Sequence, residues 1–144
     1  MRILATLIFL FLVCGCARGV DASDSLLLRT GGSIFSAAFK VELSASGQLH
    51  VGKTATPNSR AKSFNRKLNA AQTQEILLLA SKSNDFVLGC GKVADGTSAG
   101  MKIIYHGIDR SFSCQGSPDW PRGAATSKLL SAINRYLPTD LQVF

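Results

Sequence analysis

Four cysteines, two histidines and nine carboxylates are the reactive side chains of this 144-residue chain. General acid–base work would fall first to histidine. His50, however, alternates outward on a predicted strand, and His106 sits beside a predicted tight turn. Asp95, Asp109 and Asp119 fall in separate loops or turns with no paired spacing. The chain contains no nucleophile elbow, P-loop or HExxH. It also lacks CxxC and HxxxH spacings, so zinc is not expected. Asp95-Gly96-Thr97-Ser98 could hold an ion through backbone groups, but the alternating acids of a calcium loop are absent and a simple turn is expected. No catalytic residue, metal or cofactor is assigned, and the chain reads as a non-enzyme.

The cysteines point to export instead. Arg2 supplies a positive start, and residues 3–13 are apolar except for Thr6. That length suits the hydrophobic part of an export signal, whereas a transmembrane helix needs about 20 apolar residues. The segment ends in Leu12-Val13-Cys14-Gly15-Cys16, which resembles the lipobox of bacterial lipoproteins. Val13 fills the aliphatic place, Gly15 the small one, and Cys16 would be the lipidated residue; Cys14 departs from the usual Ala, Ser or Thr. The resemblance implies a thioether-linked diacylglycerol on Cys16 and an acylated amine. Several acyl chains on one residue hold a membrane stably, where one alone holds marginally. Ala17 stands where inner-membrane lipoproteins tend to carry Asp, so an outer-membrane lipoprotein facing the periplasm is expected. The alternative is ordinary cleavage after Ala17 or Ala22, giving a secreted or soluble periplasmic protein. The expected division is a signal peptide over 1–15, a lipidated tether over 16–25 and one α+β domain over 26–144.

Cys90 and Cys114 then remain as an even pair in an oxidising compartment, which favours a disulfide over free or metal-binding thiols. Closing a loop of about 25 residues would stabilise by roughly 3–4 kcal/mol in the chain-entropy account. The net charge is +7, and only Arg2 is lost with the signal. That balance favours anionic surfaces such as lipid headgroups, cell-wall polymers or acidic proteins; nucleic acid is a poor fit for an exported chain. Positive charge concentrates in residues 53–67, where Lys53, Arg60, Lys62, Arg66 and Lys67 occur with no acid. This stretch reads as a solvated surface loop or as a contact site for an anionic partner. Trp120, between Asp119 and Pro121, could anchor in a partner's pocket or pack over the edge of its own core.

The elements that must position these residues follow from periodicity. Residues 26–29 read as a strand before Gly31-Gly32. Residues 35–43 alternate, with Phe35, Ala37, Phe39, Val41 and Leu43 on one side. Ser44-Ala45-Ser46-Gly47 is a hairpin turn, after which Leu49 and Val51 resume the inward set. Asn69 with Gln72 forms a capping-box variant opening a helix over 70–82. Residues 95–100 read as a flexible loop. Residues 101–106 and 108–114 form a hairpin turning near Gly107, which points Cys114 inward. A last helix over 124–137 presents Leu129, Leu130, Ile133, Tyr136 and Leu137 and stops at Pro138. The expected fold is α+β: an antiparallel sheet of two hairpin-like units, two helices packed on one face, and one disulfide.

This order, with Leu28-Arg29-Thr30-Gly31-Gly32, the helix near Gln72 to Ala80 and the Phe112 strand leading to a terminal helix, resembles the emfourin-type inhibitors of thermolysin-like metalloproteases. The resemblance implies a protein-binding module acting as an inhibitor. The export signal, the basic insert and the cysteine pair depart from that family. The two functional expectations are therefore a non-catalytic envelope binding module for another protein, and a structural lipoprotein docking on cell-wall or lipid anions through its basic loop.

Overall fold

The structure is a computed structural model that describes residues 19–31, 37–86, 98–115 and 124–142. The elements run β1 (Ser25–Thr30), β2 (Phe39–Ser44), β3 (Gln48–Lys53), β4 (Lys62–Lys67), α1 (Ala70–Lys82), β5 (Ser98–Tyr105), β6 (Ile108–Gln115) and α2 (Ala124–Asn134), then a 3-10 turn at Thr139–Leu141. The strands form one sheet in the order β4-β3-β2-β1-β5-β6, and every neighbouring pair is antiparallel. Strands β1 to β4 are a meander. The β5–β6 hairpin, made after α1, returns to the other side of β1, so the first strand of the domain lies inside the sheet.

Alternation decides which face is covered. Leu26, Leu28, Val41, Leu43, Leu49, Val51, Met101 and Ile103 are all buried on one side. Ile76, Leu77 and Ala80 of α1 and Leu129, Leu130 and Ile133 of α2 join them in a single cluster. Each such side chain contributes about 1.5–3 kcal/mol by leaving water. The opposite face carries Arg29, Lys40, Glu42, His50, Asn65, Lys67 and Lys102 and stays wet.

Local chemistry fixes the joints. Asn69 accepts from the Gln72 backbone N–H at 2.9 Å, and Gln72 accepts from the Asn69 N–H at 3.0 Å, completing the capping box. Asp85 performs a similar task from outside the helix it serves. It accepts from the backbone N–H groups of Ala125 and Thr126 at 2.9 and 3.0 Å and from the Thr126 hydroxyl at 2.6 Å. Burial pushes the Asp85 carboxyl up, but these hydrogen bonds outweigh it and hold the group below its ordinary value. Gly47 has φ +83°, and a Cβ there would stand 2.5 Å from the Leu68 carbonyl oxygen. The Ser44 to Gly47 turn therefore rests directly on the start of α1.

Several expectations need correction. The basic stretch is not a loop: residues 62–67 are β4, paired along its length with β3. Residues 98–100, expected as loop, begin β5. Helix α2 ends at Asn134; Tyr136 and Leu137 follow in a turn, with Leu137 still buried. The first β unit is a four-stranded meander and only the second is a hairpin. Cys114 is buried on the helix side of β6, as expected. Cys16, Cys90, Asp95, Asp119 and Trp120 lie outside the described residues. Among the described residues no helix is long and apolar enough to cross a membrane.

Candidate functional site

The antiparallel register gives the sheet two distinct ends. One end gathers Ser25, Ser44, Gln48, Lys67 and the β5–β6 turn; the other gathers Thr30, Phe39, Lys53, Lys62 and Ala99. At the second end a concavity of about 440 Å³ is lined by the cations Arg29, Lys40, Lys53 and Lys62, with Phe39 among the apolar groups. Gly52, Ala38 and Ala61 also line it. They carry little or no side chain, which leaves the space open.

Each of β1 to β4 supplies one of these cations. Arg29 stands directly opposite Lys40 across β1 and β2 on the open face, and Lys53 directly opposite Lys62 across β3 and β4 on the helix side, so the two pairs meet only around the end of the sheet. Like charges facing across a ladder are destabilising, by a few tenths of a kcal/mol up to about 1. Some of the charge is offset locally. Lys40 pairs with Glu42 at 2.8 Å, Lys62 pairs with Asp140, and Lys53 lies 5.3 Å from the centre of the Phe39 ring. The hydrogen bond from Lys62, then its charge and that of Lys53, holds the Asp140 carboxyl below its ordinary value. Among the described residues two acids thus stand against four cations, and both ion pairs are exposed to solvent and individually weak.

The sequence-predicted cations divide between roles. Lys53 and Lys62 meet in the cleft. Arg60 is exposed on the turn between β3 and β4. Arg66 donates to the Tyr136 carbonyl at 3.2 Å and lies over the Tyr136 ring, tying β4 to the segment after α2. Lys67 donates to the Ser46 carbonyl and closes the hairpin turn. Along β4 the period of two sends Lys62 and Arg66 to the helix side and Lys67 to the open face. Arg29 and Lys40 were missed by sequence reasoning. They sit outside the basic run, and only the pairing of the strands brings them to the same end of the sheet as Lys53 and Lys62.

The opposite end holds a different constellation. Asp24 is buried; its two oxygens accept from the backbone N–H groups of His106 and Asp21, each at 2.8 Å. His106 Nδ1 lies 3.1 Å from Asp21 and 3.9 Å from Asp24. His106 has φ +49° and Gly107 φ +76°, the paired left-handed conformation of a tight hairpin turn. Asp21, Asp24 and His106 place three ligand atoms within 4.8 Å of one another and could offer a metal two carboxylates and an imidazole. The same atoms already form a clamp that pins the chain before β1 to the β5–β6 turn. Beside it, Ser81, Ile103, Tyr105, His106, Ile108 and Arg110 line a smaller concavity of about 240 Å³. The Ser81 hydroxyl donates to the Leu78 carbonyl at 2.8 Å, back into its own helix and not toward His106. The geometry therefore does not pair a nucleophile with a base there. Burial, aided by the charge of Asp24, pushes the Tyr105 hydroxyl up. His50, at mid-strand on the open face, has Nδ1 2.7 Å from the Asn65 side-chain oxygen.

No protein-family model matches the chain, and a search of curated proteins finds no match.

Proposed function

We propose that this chain is an exported, non-catalytic protein of the cell envelope, lipid-anchored at Cys16, that binds an anionic partner through the cleft formed by Arg29, Lys40, Lys53 and Lys62. The observation that carries this reading is the two like-charge pairs facing across neighbouring strands at one end of the sheet. Like charges facing across a ladder do not stabilise a sheet, and rules broken locally tend to mark functional positions. Of the two functions expected from the sequence, docking on cell-wall or lipid anions is the one this cleft favours over inhibition of a protein target. A disulfide between Cys90 and Cys114 is part of the proposal; the inward, buried position of Cys114 supports it.

Two measurements test the reading. Intact mass of the protein from its membrane fraction should show a triacylated chain starting at Cys16, and Cys16→Ser should abolish it. An unmodified chain starting near Arg18 or Ser23 would remove the anchor from the proposal. Binding to soluble polyphosphate and to anionic vesicles should weaken steeply with added salt and fall in a Lys53→Gln/Lys62→Gln double variant. Absence of binding to both probes at low salt would defeat the assignment of the cleft.

A further inference from the structure

We propose that Asp21, Asp24 and His106 form a binding site for a divalent transition-metal ion, zinc by the chemistry of its donors, which staples the chain entry to the β5–β6 turn. The site lies at the end of the sheet opposite the cationic cleft and is independent of what that cleft binds.

The donors converge from two distant segments. Asp21 Oδ2 lies 3.1 Å and Asp24 Oδ2 3.9 Å from His106 Nδ1, and the three ligand atoms all fall within 4.8 Å of one another. Around a tetrahedral zinc with bonds of about 2.0–2.2 Å, neighbouring donors stand about 3.4 Å apart. The two histidine-to-carboxylate separations bracket that value. Backbone groups aim the donors. Asp24 accepts from the His106 N–H through Oδ1 and from the Asp21 N–H through Oδ2, each at 2.8 Å. The Asp24 N–H in turn donates to the Asp21 carbonyl at 2.9 Å. His106 is set by its positive φ in the turn, and its ring centre lies 4.0 Å from that of Tyr105. Hydrogen bonds that orient the ligands are a recurring part of metal sites.

Charge supplies the second argument. The Asp24 side chain is fully buried, and among the described residues no lysine or arginine pairs with it or with Asp21. Buried charges in proteins are paired or coordinate metals. Two carboxylates and a neutral imidazole sum to a charge that a dication cancels. One nitrogen and two oxygens suit zinc better than calcium or magnesium, which prefer oxygen-only shells of about six to eight ligands. Three protein donors leave a position for water. No spacing motif announces the site, because Asp24 meets His106 only across 82 residues of chain.

The test uses the full chain without an affinity tag, stripped with EDTA and kept non-reducing. Calorimetric titration with zinc should show one ion bound per chain. Tm should rise by roughly 10 °C when free zinc exceeds Kd about a hundredfold. Cobalt should bind in its place with a spectrum of tetrahedral nitrogen and oxygen ligation and no thiolate charge-transfer band. His106→Asn removes the ring donor, yet Asn before Gly107 suits a left-handed turn. The metal-free Tm should therefore change little while zinc affinity falls by about tenfold or more. Asp21→Asn should do the same, and His50→Asn should leave zinc binding intact. A parent chain that shows no saturable zinc binding would overturn the inference. So would binding undiminished in both His106→Asn and Asp21→Asn, leaving the cluster a hydrogen-bonded clamp only.

Discussion

The two ends of the sheet treat charge in opposite ways. At the entry end, acids and their partners are brought together: Asp24 takes two backbone N–H groups, and Asp21 lies against His106. At the far end, Arg29 faces Lys40 and Lys53 faces Lys62. The first arrangement explains itself as part of the fold, because it joins segments 82 residues apart in the chain. The second does not. The proposed anion binding would account for the charge that the fold leaves facing its like.

Changes at the entry end should be felt mainly as stability, and the largest is expected at Gly47. Gly47→Val forces a β-branched residue into a positive φ and drives its Cβ into the Leu68 carbonyl. A loss of about 3 kcal/mol or more is expected in urea denaturation, because strain and steric overlap add. Asp24→Ala should cost about 2–3 kcal/mol by leaving the His106 and Asp21 N–H groups without their acceptor. A Tm unchanged by Asp24→Ala would show that the clamp is not what pins the entry end.

Asp85 gives a control away from both ends. Asp85→Ala should cost about 1–2 kcal/mol, the usual worth of a helix cap. Because the folded carboxyl is depressed below its ordinary value of 3.8, its contribution is fully present above that pH and is lost as pH falls through the folded value. Acid unfolding of Asp85→Asn should accordingly show a shallower dependence on pH in that range than the parent chain. Equal slopes would mean that the Asp85 cap is not formed in solution.

The cation end should respond in the reverse sense. Lys53→Gln relieves a like-charge pair and should leave stability unchanged or raise it by up to about 0.5 kcal/mol while weakening polyphosphate binding. A clear loss of stability would return Lys53 to the fold and erase the contrast. The smallest effect is expected from Asp140→Asn. It removes the acid beside Lys62 and Lys53, and polyphosphate affinity should rise by about two- to fivefold at low salt.

Helix α1 was legible in the sequence almost to the residue, because its cap, its apolar face and its end are all local signals. The inward set of β2 and β3 was legible for the same reason. Strand β4 was not. Its single central aromatic, Phe64, is flanked by polar and cationic residues, and its strand character comes from pairing with β3 at the sheet edge. The insertion of β5 beside β1 has no local signal at all. The site inherits that limit: Lys53 and Lys62 belong to a visible basic run, but Arg29 and Lys40 reach the same end of the sheet only through the pairing of β1, β2 and β3.

The central place of β1 has a consequence for when this protein can fold. Its first ladder, to β2, closes after a short meander. Its second, to β5, pairs Ser25 with Ile104 and must await most of the chain. Closing so long a loop is entropically unfavourable until many contacts form together, which makes such topologies slow. A chain whose leading strand stays half-open until β5 is available completes its sheet late in folding. The β5–β6 hairpin then completes the sheet on the far side, and the Asp24 and His106 clamp shuts with it.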